Sequence, residues 1–482
     1  MRSKWLLFGA VLICANVVLA GTKVPRFLSG RSAADCQSHP PETWSATKNV
    51  AWKQDLPGLG WASPIVWDDK VFLTTCVASG KALEPRKGLY IEDLDANKYP
   101  PTDKRQYKVY CLDLNTGDVQ WERTAHEGVP PKPHHIKNTL ASETPCTDGE
   151  RLYVAFGTIG LFCYDLDGKL LWKHALTPRE TRMGWGTSMS PIVHEDRVYY
   201  VDDNEEESSV VALNKYTGDV IWRTPRDEQT NYSTPFLWEN SVRKELVVSG
   251  INWLKSYDLD GKELWKITGH SILAIPSPFE HDGLLYVTSG HVLWGENRLF
   301  AIKPGASGDI TAPSDRREKP TDDGSIQALN KRPKLPTKKD PNEKLDEHLV
   351  WYQRFGPYHP TPLILDDQLY MLLDRGFMAS FDAKTGEIVY EKARIPKGRA
   401  FTSSPFTYAG KIFCINEDGV TFAMSPGEEC EVLYTNPLAE DDMCMATPVI
   451  VGDRLLIRTS ERVYCIGASD DSDDSAAAAS GD

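Results

Sequence analysis

Nine side chains of types that bind or transform ligands cluster ahead of a recurring Ser/Thr-Pro dipeptide: Trp61, His134, His135, Asn138, Arg182, Trp185, Tyr232, His359 and Arg399. Aromatic, imidazole and guanidinium groups in this mixture suit a binding surface, because they offer large contact area and a polar tip on few rotors. The same groups also fill channel mouths and cap strands. His134-His135 has no third ligand at matching spacing, so a zinc site is not indicated. Ser63, Ser190, Ser277 and Ser404 precede prolines inside the repeat, and their recurrence points to turn geometry before nucleophilicity. The chain shows no Ser-His-Asp arrangement and no Gly-rich phosphate loop. Carboxylate pairs occur in turns throughout and discriminate nothing. His291 and Trp294 lie between two strands and are expected on a different face. No catalytic residue and no metal ligand is assigned.

The elements that must position these groups repeat. Residues 144–172 contain four short apolar runs broken by Asp148-Gly149, Gly157 with Gly160, and Asp167-Gly168, the pattern of a four-stranded antiparallel meander. One meander buries too little surface to stand alone. Anchoring prolines recur at Pro64, Pro145, Pro191, Pro235, Pro278, Pro362, Pro405 and Pro448. An aromatic closes each unit, at Trp121, Trp172, Trp222, Trp265, Trp351, Tyr390 and Tyr434. A period slightly above 40 residues with four strands per unit predicts propeller blades. The unit opened by Pro448 has no closing strand, whereas Asn49-Val-Ala-Trp52-Lys precedes the first anchor and reads as that strand. The chain is therefore expected to be all-β: an eight-bladed propeller of four-stranded antiparallel blades over residues 49–467, its ring closed when the N-terminal strand completes the last blade. Two gaps between anchors are about twice as long as the rest, placing insertions at about 79–106 and 304–346.

Composition narrows the partners. With 54 basic and 68 acidic residues, net charge −14, nucleic-acid binding through bulk charge is disfavoured. Residues 1–20 read as a signal peptide: Arg2 and Lys4, an apolar stretch over Leu6–Val18, then Val18-Leu19-Ala20 before Gly21. The expected location is the periplasm or cell envelope, or outside the cell. Ile13 stands where a lipidation signal around Cys14 would carry a small residue. No other segment is apolar enough to span a bilayer. Nine cysteines follow Cys14; Cys111, Cys163 and Cys465 share one strand position and read as small core residues. Residues 21–48 read as an irregular lead-in, Asp202–Glu207 as a solvated hairpin tip, and residues 304–346 as flexible. The basic cluster Arg316, Arg317, Lys319, Lys331, Arg332, Lys334, Lys338 and Lys339 falls in that last segment. Residues 468–482 read as a disordered acidic tail.

The unit resembles the pyrroloquinoline-quinone-type (PQQ-like) propeller repeat, of the kind found in exported bacterial proteins. The resemblance rests on Asp113-Leu-Asn-Thr-Gly117-Asp-Val-Gln-Trp121, with copies ending at Asn214…Gly218…Trp222 and Asp382…Gly386…Tyr390. Shorter forms are Asp165…Gly168…Trp172 and Asp258…Gly261…Trp265. It implies that the Gly makes a turn and that Trp52 and the seven later closing aromatics dock neighbouring blades. Two activities occur among such propellers. Quinoprotein dehydrogenases hold PQQ and calcium over the channel and usually show an adjacent Cys-Cys pair, which is missing here. Propeller lipoproteins of the outer-membrane protein assembly machinery bind protein partners without a cofactor. The reading favoured is a monomeric, exported, non-enzymatic scaffold binding a protein partner or small ligand through blade-connecting loops, with no cofactor. The alternative is a PQQ- and calcium-dependent dehydrogenase acting on an alcohol or sugar; a hydrolytic propeller would draw only on the many aromatics.

Overall fold

A computed structural model describes residues 23–32, 39–80, 85–88, 95–269, 271, 273–290, 297–316 and 343–468. The segment read as a signal peptide, the acidic tail from Ser469, His291, Trp294 and the basic residues 317–339 lie outside the described residues.

Eight antiparallel blades form the ring, almost without helix. Blade 2 shows the plan: Cys146–Thr147, Arg151–Phe156, Gly160–Asp165 and Leu170–Ala175, ordered from the centre outward. Its two middle strands read nearly continuously apolar because both of their faces pack against neighbouring blades. The outer strand alternates, with Trp172 buried between exposed neighbours. Blade 8 consists of Val449–Val451, Arg454–Arg458 and Arg462–Ile466, and is completed by Val50–Asp55 pairing with Arg462–Ile466. The two ends of the chain thus close the ring in one sheet.

Blade-to-blade docking follows one rule with informative exceptions. The Trp121 indole N–H donates to Leu166 O at 3.0 Å. A Cβ on Gly168, whose φ is +81°, would lie 2.7 Å from the same ring, so the turn must be glycine both for its backbone and for the approach of the aromatic. Trp52, Trp172, Trp222 and Trp351 donate in the same way to Leu114, Lys215, Leu259 and Ala383 of the next blade. Trp265 differs: its indole donates to the buried Glu245 carboxylate at 2.6 Å. The corresponding turn of blade 5 is replaced by the second insertion, so the usual carbonyl is not offered there. Tyr434 reaches Glu42 of the lead-in at 3.1 Å.

Four sequence readings are corrected. The first insertion ends at Lys104, since Arg105 and Gln106 already belong to strand Arg105–Asp113. The second insertion is ordered at its start, where Gly308–Asp309 runs parallel to Glu263–Ile267 as a fifth outer strand, burying Ala306, Ile310 and Ala312. The Asp202–Glu207 run is a solvated tip only at Glu206 and Glu207: Asp203 and Asn204 are buried, and Asp203 is paired with Arg226 at 2.9 Å. A lone buried carboxylate would be costly, and the guanidinium is what makes its burial tolerable.

The lead-in is also more than irregular. Lys23–Val24 pairs with the innermost strand of blade 1, inside the channel. Its carbonyls then accept from the inner strands of three further blades: Thr147 N to Pro25 O, Thr407 N to Arg31 O and Ile450 N to Gly30 O, at 2.8–2.9 Å. The segment satisfies inner edges on one side of the channel, on blades 1, 2, 7 and 8. Cys111, Cys163 and Cys465 are fully buried free thiols. Among the described residues no helix is long and apolar enough to cross a membrane.

Candidate binding face

Each blade runs from its centre outward, so the connections entering the inner strands emerge on the same side as those between second and third strands. We call this the anchor face. The first insertion joins a second to a third strand and therefore shares this face with the residues preceding the anchors; such a connection does not belong to a different face.

The Ser/Thr-Pro anchors form a belt beneath it. Ser63 N donates to Thr144 Oγ1, Thr144 N to Ser190 Oγ, and Ser190 N to Thr234 Oγ1, at 2.9–3.1 Å. The belt resumes with Ser277 N to Thr361 Oγ1, Thr361 N to Ser404 Oγ and Ser404 N to Thr447 Oγ1, again at 2.9–3.1 Å. Each hydroxyl accepts the buried N–H of the preceding blade, a donor that would otherwise go unpaired. The recurring serines are therefore inter-blade acceptors, a role that turn geometry alone does not describe. The belt breaks where Ser277 and Ser63 would accept, and both hydroxyls are buried without a partner.

Above the belt, several of the sequence-selected residues converge. Trp185 packs with Tyr232, Tyr358, Met183 and Leu273, and with Ala96 of the first insertion. His135 stands edge-on to Trp185, ring centroids 5.8 Å apart, and its backbone N–H donates to Trp185 O at 3.2 Å. Burial, with Lys137 and His359 nearby, pushes the His135 imidazole down to about 4; burial and Arg105 do the same for His134, whose Nδ1 has no partner. Both rings are neutral at pH 7 and act as neutral donors or acceptors. His359 lies against Tyr358, centroids 3.9 Å apart, with its Nδ1 on Asp374 Oδ1. That carboxylate also accepts the backbone N–H of Tyr358 and His359, so Asp374 holds both the loop and the orientation of the imidazole. The Tyr232 hydroxyl is buried without a partner, and burial raises the pKa of Tyr232 and Tyr358 well above the usual phenol value.

The other selected residues serve the scaffold or stand apart. Trp61 donates its indole N–H to Lys137 O at 2.6 Å. Asn138 donates to Trp185 O and Thr187 O and accepts from Leu140 N and Ser142 Oγ, so its amide is spent holding the loop. Arg182 is buried, bonded to Gln229 Oε1 at 3.0 Å and 3.7 Å from Glu205. Arg399 is exposed at the rim, 3.1 Å from Asp418, and does not join the cluster.

The insertion bridges this face. Asp95 caps the short turn Ala96–Lys98 by accepting from Asn97 N, and the Asn97 amide fills the space where a side chain on Gly184 would lie. On the other side Gly88 N donates to Glu417 Oε2 at 2.7 Å, and Lys87 Nζ to Glu440 O at 3.1 Å. Glu417 is buried and paired with Lys137 at 2.5 Å, while Lys137 also donates to Gly88 O. The described parts of the first insertion thus touch the connection beside blade 3 through Asn97 and that beside blade 7 through Lys87 and Gly88. Asp374, Glu417 and Lys137 were missed in the sequence because a lone acid or lysine in a turn carries no spacing signal.

A calcium ion takes about six to eight oxygen ligands. The oxygens of Asp374 and Glu417 at this face are spent on His359, Lys137, Thr402 Oγ1 and backbone N–H groups. They do not fit a calcium cage, and among the described residues no group of three His, Cys, Asp or Glu is placed to hold a metal.

Comparisons with known proteins agree with this architecture. A family model described as outer membrane protein assembly factor BamB matches residues 105–248. BamB from Moraxella catarrhalis is similar in structure, with a TM-score of 0.53 at 11% identity over 86% of this chain and 98% of that one. A europium-containing methanol dehydrogenase gives 0.54 at 12% identity over 93% and 98%. The quinohemoprotein alcohol dehydrogenase from Comamonas testosteroni gives 0.53 at 12% over 93% and 81%. No curated protein sequence matches the chain. At these identities the solved structures speak for the fold alone and fit a scaffold and a dehydrogenase equally. The family model matched over residues 105–248, the repeats and the eight-bladed ring together support a PQQ-like repeat β-propeller.

Proposed function

We propose that this chain is a non-enzymatic binding scaffold of the cell envelope that presents its anchor face, with the first insertion, to a protein partner. The observation that carries the reading is that the described parts of the first insertion are tied to the ring, Gly88 beside blade 7 and Asn97 beside blade 3. Groups held against the ring in this way are preorganised and lose little entropy on binding. Tyr99 extends from the insertion more than half exposed, an amphipathic side chain of the type that anchors interfaces. The oxygens of Asp374 and Glu417 at the anchor face are taken by protein donors, which weighs against calcium at those two residues. The family description supports an envelope location, as does the signal-like start of the sequence.

The experiment that separates scaffold from enzyme is a titration of the chain from Gly21 onward with PQQ and calcium, followed by a dye-linked alcohol oxidation assay. No saturable change in quinone absorbance and no turnover are expected. Saturable binding with turnover would overturn the scaffold reading.

A further inference from the structure

The lead-in satisfies the inner edges of blades 1, 2, 7 and 8, leaving the inner strands of blades 3 to 6 facing it across the channel. Between them lies a cavity of about 420 Å³, within the size range of small-molecule sites. Its lining mixes apolar side chains, Phe27, Phe279 and Ile364 among them, with Arg26, Arg31 and Ser277.

Three independent features give this cavity a charge preference. The lead-in over residues 23–32 carries Lys23, Arg26 and Arg31 and no carboxylate. Arg31 is half-buried, and its Nη1 donates to Thr361 O and Pro362 O at 2.9 and 3.0 Å. Among the described residues its Nε has no partner and no acid offsets its charge: burial moves the guanidinium, down to about 10. Ser277 lines the same cavity, and its Oγ is one of the two hydroxyls at which the anchor belt breaks. The one carboxylate in the lining, Glu280, is held to its own turn by Gly283 N at 2.6 Å. His281 stands 3.5 Å from Asp367. A partly desolvated cation without a counter-ion is held at a cost that a well-placed anion beside it offsets.

We propose that this half-channel binds a small organic anion, a carboxylate or phosphate monoester on an apolar body, with Arg31 and Ser277 at its head group. The site is separate from the anchor face and stands whether or not a protein binds there. Phe27 and Phe279 offer apolar surface for the body.

The test is calorimetric titration of the chain from Gly21 onward with benzoate, phenyl phosphate, inorganic phosphate and neutral benzyl alcohol. Saturable binding of at least one organic anion is expected, with none for benzyl alcohol. Arg31→Gln should weaken it about tenfold or more, the scale of a lost charge-assisted hydrogen bond. Ser277→Ala should weaken it severalfold, and Arg399→Gln should leave it unchanged. If Arg31→Gln does not fold, Arg31→Lys, which keeps the charge, and Ser277→Ala carry the comparison. Failure of both organic anions to saturate at roughly 10 mM, or affinity unchanged in the Arg31 and Ser277 variants, would overturn the proposal. Binding of inorganic phosphate alone would overturn its organic part.

Discussion

At the residue scale, the buried acid Glu143 gives the sharpest expectation. It precedes the blade 2 anchor, accepts from Thr187 Oγ1 at 2.6 Å, and leaves Oε2 without a partner. Burial pushes its carboxyl up to about 7. A raised carboxyl pKa means that the folded state holds a proton which the unfolded chain releases first. Its favourable effect is complete below the unfolded value near 4.5, and stability falls as pH rises from there through about 7. Glu143→Gln should remove that slope, gaining on the order of 3 kcal/mol over the native chain between pH 5 and pH 8, as read by urea unfolding at each pH. A parallel pH dependence in both chains would contradict the assignment. Sequence spacing picked out His135, Trp185, Tyr232 and His359, which do meet at one face. It could not rank them against Arg399, because exposure at a rim depends on the neighbouring loop. Nor could it see Arg31, whose meaning comes from a lead-in folded back into the channel.

At the scale of elements, the belt of anchors separates two serines that look alike in sequence. Ser190 Oγ accepts the buried Thr144 N–H, whereas Ser277 Oγ accepts nothing. Ser190→Ala strands a buried donor and should cost about 1–3 kcal/mol, while Ser277→Ala should change stability by well under 1 kcal/mol. Chemical denaturation of the two variants checks this, and equal losses would contradict the belt. The repeat was legible here because four strands, a turn glycine and a closing Trp recur at nearly fixed spacing. The exceptions were not: Trp265 turns to Glu245 only because blade 5 lacks the usual turn, and Gly308–Asp309 pairs in parallel with a strand some 40 residues earlier. Composition made that segment look solvated, although Ala306, Ile310 and Ala312 give it an apolar underside.

At the scale of the whole molecule, the ring is closed by Val50–Asp55 in blade 8. The lead-in fills one side of the channel, and the first insertion straps the anchor face. Closure could be read from the sequence because a closing strand was missing at one end and spare at the other. The plug and the strap could not, since neither repeats and each draws its partners from distant blades. The central claim is that the strapped anchor face is the working surface and that the opposite hairpin face is not. Photo-crosslinking in native cells tests it most directly, with a photoreactive side chain in place of Tyr99 on the strap or of Tyr216 on a hairpin turn, both about half exposed. A discrete protein adduct from position 99, lost on competition with untagged protein and missing from position 216, is the expected result. Adducts from position 216 alone, or from neither position, would contradict the account.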